Sequence, residues 1–449
     1  MTVKLLAAWN GNSPGIITLD GTTEARLIAQ GLATADVDYQ AAEDGEFLRG
    51  VRNRLTGGIE IFGPDGKRVP GAITADQSVI LFGDSITNYN TTGPISNATA
   101  TWSRGYMTWA NAFLGERGLT VVANAGVGGD TTTQMLARID ADVLAVDAGF
   151  VFVMGGINDI AGNLSTADVV IANLAEIYSR LRAAGYVVIA GTVTPVQPAH
   201  TNYGPTVTGR LATVNAWIKA EAAAGRVVLA DVAAALVDSA GVPIAEYYAD
   251  ATHPGPAGAR MMGLAVADAV VPYVQHGRRR RQSNLLANGV MLNPSSGLAA
   301  GWTKGDTGST SVATVDAAPD GIGNRQCLEV AFAASGNSSY LRGEDVFAKV
   351  QSGDVVQAEC EVEVLTDGIN VQGIQLHLSM IAGSTIIPIA MYRDVASVFE
   401  CKAGDKLLLR TLPYTLGVDA TRCRPEVFVY GAGAGSVKIA VSKARIWKS

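Results

Sequence analysis

The chain has 449 residues, 48% of them apolar, and a formal net charge of −7 at pH 7. That length allows two to four domains with sizeable cores, and the acidic balance gives no support for a nucleic-acid binder. No uninterrupted apolar run of about 18 residues occurs, which predicts no membrane span, and the apolar patch at Leu5–Trp9 is too short for a secretory leader.

Residues 1 to about 75 are rich in Gly, Thr and Asp. "GGIEIFGPDGKRVPGAI" reads as a short strand, a Pro-Asp-Gly turn and a second extended stretch. A small β-rich module is expected, serving as an attachment element or as a lid on the adjoining domain.

The pattern changes over residues 76–275. Nearly continuous apolar runs occupy Ser78–Gly83, Thr120–Gly126, Phe150–Gly156, Tyr186–Pro195 and Arg226–Asp231. Such runs suit strands buried on both faces. Helical stretches alternate with them, several closing on Gly or a basic residue. The alternation predicts a three-layer α/β sandwich around a parallel sheet, whose chemistry belongs at the carboxyl ends of the strands.

Residues 276–284 contain "GRRRRQ", read as a solvated linker, with RNA or lipid headgroups as the alternative partner of a short basic run. Over residues 285–449, eight alternating stretches separated by turn signals predict a β-sandwich or jelly-roll-like accessory domain. Cys327, Cys360, Cys401 and Cys423 all lie there, and their spacing matches no metal site. Buried free thiols are the first reading and disulfides the second. Trp302 reads as a core or capping residue, with sugar stacking as the alternative.

Four short segments carry potential chemistry, and each is weak alone. Asp84-Ser85 follows the first apolar run, where an isolated pair would be a turn or helix cap. "NAGVGGDTTT" follows the second, and its glycines let backbone N–H groups face a ligand. "MGGINDI" follows the third and puts Asn158 at the end of an apolar run, with Asp159 as a brace. "DATHPG" places Asp250 three residues before His253. Of the other histidines, His276 adjoins the basic run, His377 lies in an alternating strand, and His200 lines the cleft rim or a surface loop. Together the segments supply a hydroxyl nucleophile, a base, an acid to orient it and oxyanion donors, the parts of acyl transfer.

"GDSI" at Gly83–Ile86, "NAGVGGDT" at Asn124–Thr131, "GIND" at Gly156–Asp159 and "DATHP" at Asp250–Pro254 resemble, in order, the four blocks of the SGNH/GDSL hydrolase family. The resemblance covers residues 76–275. It implies a flavodoxin-like fold of five parallel strands and hydrolysis of esters, thioesters or carbohydrate O-acyl groups without a metal or other cofactor. It further implies Ser85 as nucleophile, His253 as base and Asp250 as its orienting acid. The oxyanion hole would come from Gly129, Asn158 and the Ser85 N–H.

The segment "NYNTTGPISNATATW" after the nucleophile departs from the family pattern and is expected to wall or cover the pocket. Its polar, small side chains, with Tyr89 and Trp102 as substrate-binding aromatics, favour a small acyl group, acetyl foremost, on a carbohydrate. A lysophospholipase or thioesterase and a non-catalytic glycan-binding or virion structural protein are the alternatives. The three-part layout resembles phage-tail proteins, which would suit release by lysis and assembly as a trimer; otherwise a cytoplasmic location is expected.

Overall fold

The computed structural model describes residues 77–90, 92–95, 98–274, 283–380, 388–394, 398–399, 401–418 and 420–448, and before them the backbone of six short strands. Those strands make two antiparallel sheets. Thr2–Leu5 (β1) lies between Gly15–Thr18 (β2) and Ala33–Thr34 (β3). Ile59–Phe62 (β5) lies between Arg49–Arg52 (β4) and Arg68–Val69 (β6). The Pro-Asp-Gly turn and the basic run at 277–282 lie outside the described residues.

The central sheet joins Ser78–Gly83 (β7), Thr120–Gly126 (β10), Phe150–Met154 (β11), Val187–Gly191 (β12) and Val228–Ala230 (β13), all parallel, in the order β10-β7-β11-β12-β13. Numbered along the chain this is the 2-1-3-4-5 order of flavodoxin-like sheets. β7, β11 and β12 are buried along their whole length, whereas the edge strand β10 is partly exposed. That contrast explains why the inner strands read as continuous apolar runs. Besides the single turn Ser85–Asn88 (α1), the helices are Tyr106–Leu114 (α2), Thr132–Ile139 (α3), Ala167–Ala183 (α4), Pro205–Ala223 (α5) and Pro256–Val270 (α6). α2 packs on α6, and α4 packs on both α3 and α5, forming the outer layers.

Of the segment expected to wall the pocket, two stretches join another sheet. Thr92–Ile95 (β8) and Ala98–Trp102 (β9) form a hairpin, and β9 pairs in parallel with Pro388–Tyr392 (β20) of the C-terminal β region. An edge strand exposes a row of unpaired N–H and C=O groups; β9 satisfies that row on β20. Tyr89, near the start of the segment, stays at the mouth of the central sheet beside His253, and Arg104, just past its end, lies over the Tyr89 ring.

The C-terminal region contains Thr303–Thr307 (β14), Ser309–Ala317 (β15), Asn324–Phe332 (β16), Ser338–Arg342 (β17), Val355–Val364 (β18) and Ile369–Ser379 (β19). After β20 come Lys406–Arg410 (β21), Tyr414–Thr415 (β22) and Arg424–Lys448 (β23). The two last stretches expected from sequence are one strand of 25 residues. Its first part pairs with β17 and β19, its second with β16 and β18. The intervening "GAGAG" looks like a turn signal but permits close approach. A Cβ at Gly431 would lie 2.5 Å from Phe332, and one at Gly435 only 2.0 Å from the Ile369 carbonyl.

Leu328, Leu376, Val427, Val429 and Ile439 sit in a core that also takes in Trp109 and Ala112 of α2 and Ala259 of α6. Trp109 stacks against Phe399 with ring centres 4.8 Å apart. Arg260 on α6 forms a two-point ion pair with Asp405, at 2.5 and 3.1 Å. Trp302 is buried, its indole N–H donating to the Asn288 carbonyl at 3.1 Å. The four cysteines are buried free thiols. Among the described residues, no helix is long and apolar enough to cross a membrane.

Candidate active site

The end of β7 sets the first element. A Cβ at Gly83 would fall 2.3 Å from both the Met154 carbonyl and Thr87 Oγ1. A Cβ at Gly126 would fall 2.3 Å from the Asn88 nitrogen. Glycine at both strand ends therefore lets α1 lie directly across them. Asp84 caps this turn, its Oδ1 accepting from the Ile86 N–H at 3.0 Å. The carboxyl is fully buried. Burial pushes its pKa up to about 7, against the pull of the Ile86 hydrogen bond, and the nearby Asp159 and Asp130 charges push the same way.

Ser85 opens α1 and remains partly exposed. Its hydroxyl donates to His253 Nε2 at 2.9 Å across 168 residues of chain. His253 Nδ1 lies 2.9 and 3.0 Å from the two oxygens of Asp250. The 250–253 turn is held by Asp250 itself, which also accepts from the Thr252 and His253 backbone N–H groups at 2.8 and 2.7 Å. Burial alone would raise the Asp250 carboxyl; these hydrogen bonds outweigh it and hold the pKa below the ordinary value. The loop then closes on itself, the Ala249 N–H donating to the His253 carbonyl at 2.9 Å before Pro256 starts α6.

Asn158 stands after β11, its amide nitrogen donating one hydrogen to the Asp130 carbonyl at 2.9 Å and keeping a second. Gly129 sits at φ +83°, a conformation that L side chains rarely adopt, with open space where a Cβ would be. Asp159 braces the loop by accepting from the Thr132 N–H and hydroxyl, each at 2.8 Å. Thr131 and Gln134 close a capping box on α3.

The rest of the frame had little sequence signal. Arg138 donates to the Gly83 and Ala125 carbonyls at 2.8 and 2.9 Å and to Asp130 at 2.6 Å, tying the ends of β7 and β10 to the glycine loop. A helical arginine reads as a surface charge until its acceptors are known. Tyr89 meets the His253 ring edge-on, and the Arg104 guanidinium lies 4.0 Å over the Tyr89 ring. Trp102 packs on Tyr392 with ring centres 5.4 Å apart, and no described contact joins it to Ser85, His253 or Asp250. His200 accepts from the Asn202 N–H within its own loop. His377 is buried in β19 and stacks on Phe428.

Residues 81–261 match the model of the GDSL-like lipase/acylhydrolase family. No curated protein is matched. Among solved structures, the chain is similar to the lipase/acylhydrolase from Enterococcus faecalis, at 22% identity over 45% of this chain and 99% of that one, with a TM-score of 0.37. It is also similar to a GDSL-like lipase from Bacteroides thetaiotaomicron, at 22% identity over 43% and 87%, TM-score 0.35. A third similar structure is an acetylxylan esterase from Geobacillus stearothermophilus, at 20% identity over 47% and 100%, TM-score 0.37. Residues 81–261 thus form a core domain of the GDSL-like lipase/acylhydrolase type, consistent with ester hydrolase activity.

Proposed function

We propose that the chain removes small acyl groups, acetyl foremost, from a carbohydrate through a covalent acyl-enzyme on Ser85. The observation that carries this reading is the 2.9 Å hydrogen bond from Ser85 to His253, with Asp250 behind the imidazole. His253 Nε2 takes the hydroxyl proton as Ser85 Oγ attacks the acyl carbonyl carbon. Asp250 keeps the proton on Nδ1 and stabilises the imidazolium that forms. The carbonyl oxygen becomes an alkoxide facing the N–H groups of Ser85 and Gly129 and the second amide hydrogen of Asn158. The tetrahedral adduct collapses, and the alcohol leaves with the proton returned by His253. Water, deprotonated by the same imidazole, attacks the acyl-serine. The carboxylic acid departs and Ser85 is restored.

The groups beside the imidazole favour a small acyl substituent on a polar alcohol. They are a phenol ring and a guanidinium, Tyr89 and Arg104, whereas a long acyl chain needs an extended apolar channel. Turnover of p-nitrophenyl esters from acetyl to palmitoyl, beside acetylated polysaccharides, tests the assignment, with Ser85→Ala as control. The expected profile peaks at acetyl and acetate is released from a polysaccharide. A peak beyond octanoyl would overturn the short-acyl reading.

A further inference from the structure

Three tyrosine–arginine pairs run outward from Ser85. Arg104 lies 4.0 Å over Tyr89, which touches His253. Asp394, 3.7 Å from Arg104, leads to the adjacent Arg393, which lies 3.9 Å over Tyr430. Phe428 stacks between Tyr430 and Tyr340, at 5.6 and 5.1 Å, and Arg342 lies 4.6 Å over Tyr340. Strand register places the outer two pairs on one face of the sheet: Tyr340 opposite Phe428, Arg342 opposite Glu426, and Gly373 opposite Tyr430. The other face is core, with Leu341, Val427, Val429 and Leu376 fully buried. Gly373 makes room for the middle pair, since a Cβ there would fall 2.8 Å from the Arg393 Cβ.

A guanidinium laid flat on a ring is pre-organised, its N–H edges left for a planar anion. The donors are largely unspent. Among the described residues, Arg104 Nε has no hydrogen-bond partner, Arg393 gives one bond to Gln372, and Arg342 Nε gives one to Glu426. The charge is locally inverted relative to the acidic chain: among the described residues, the ion pairs of Arg104, Arg342 and Arg424, beside Arg393, are to two carboxylates, Asp394 and Glu426. On the same face, Gln375 and His377 are 1% and 2% exposed, and among the described residues Gln375 Nε2 and His377 Nδ1 have no partner.

We propose that these pairs form a subsite track for a glycan chain bearing carboxylates, whose residues bind along β17, β23 and β19 while an acyl ester farther along reaches Ser85. This rests on the ester-hydrolase reading of Ser85 and extends it to the polymer. Continuity with the site and the excess of guanidinium charge select an acidic polysaccharide over a neutral one.

The test is affinity electrophoresis of the full chain carrying Ser85→Ala, which turns over no ester, in gels containing polygalacturonate, alginate or colominic acid, with dextran as the uncharged comparison. Retardation by at least one acidic polymer and none by dextran is expected. Arg393→Gln and Tyr430→Ala should each weaken it at least tenfold, and added salt should weaken it too. Thermal melts check each variant, and Arg393→Gln, at a partly exposed position, decides the matter if Tyr430→Ala fails to fold. The track is overturned if none of the three polymers retards the protein, if Arg393→Gln binds unchanged, or if single-stranded oligothymidylate is held equally well. Hydrolysis of p-nitrophenyl acetate by the unaltered chain reports separately on the ester-hydrolase reading.

Discussion

Tyr89 meets the His253 imidazole edge-on, with ring centres 5.6 Å apart and planes at 85°. The phenol ring lies four residues beyond Ser85 and so couples the turn bearing the hydroxyl to the loop bearing the imidazole. An aromatic pair of this geometry contributes about 0.5–1.5 kcal/mol beyond burial. Tyr89→Ala is therefore expected to lower kcat/KM on p-nitrophenyl acetate roughly two- to tenfold, and Tyr89→Phe to lower it little. Steady-state kinetics on the two variants separates the ring from its hydroxyl.

The hydrogen-bonded series Ser85–His253–Asp250 should behave as a unit. Ser85→Ala and His253→Ala are each expected to remove nearly all turnover, and the double variant to be no worse than either. Asp250→Asn leaves a hydrogen-bonding group but favours the wrong tautomer, with a loss of about 10⁴ in kcat. Additive losses in the double variant would contradict a shared proton path.

Asn158→Ala removes one donor from the proposed oxyanion hole. A loss of about 10²–10³ in kcat with KM little changed is the expected outcome. An effect confined to KM would place Asn158 in ground-state binding instead.

Asp84 predicts a pH signature in stability. Its folded pKa of about 7 lies above the ordinary value of 3.8, so between those values the folded chain retains a proton that the unfolded chain releases. Stability contributed by this group is thus present at low pH and lost as pH rises through the window. Asp84→Asn keeps the capping oxygen and removes the titration. Denaturation at pH 4 and pH 8 should show the variant gaining on the parent at the higher pH, by up to about 4 kcal/mol. Equal gaps at both values would show that the burial of Asp84 carries no such cost.

The Arg260–Asp405 pair joins α6 to the C-terminal region with side chains only 7% and 11% exposed. Asp405→Ala strands a buried guanidinium and should cost about 3–5 kcal/mol in urea denaturation. Replacing both by apolar residues, Arg260→Met with Asp405→Leu, should recover most of that loss.

The alternation of apolar runs with helical stretches made the central sheet legible, because strands buried on both faces must be continuously apolar. The four short blocks were legible for a related reason: three of them follow strands of that sheet, where parallel topology gathers chain ends, and the fourth precedes its last helix. The sequence by itself thus determined the residue types available to one sheet edge. Only tertiary structure decided that the Ser85 hydroxyl reaches His253 and that 92–95 and 98–102 join another sheet. It also decided that "GAGAG" continues a strand, that Arg104 lies over Tyr89, and that Arg138 ties two strand ends to the glycine loop. The physical reason is common to these cases. Local pattern reports which faces are buried, whereas the partner of an edge strand, the acceptor of a guanidinium and the neighbour that forbids a Cβ are set by residues remote in the chain.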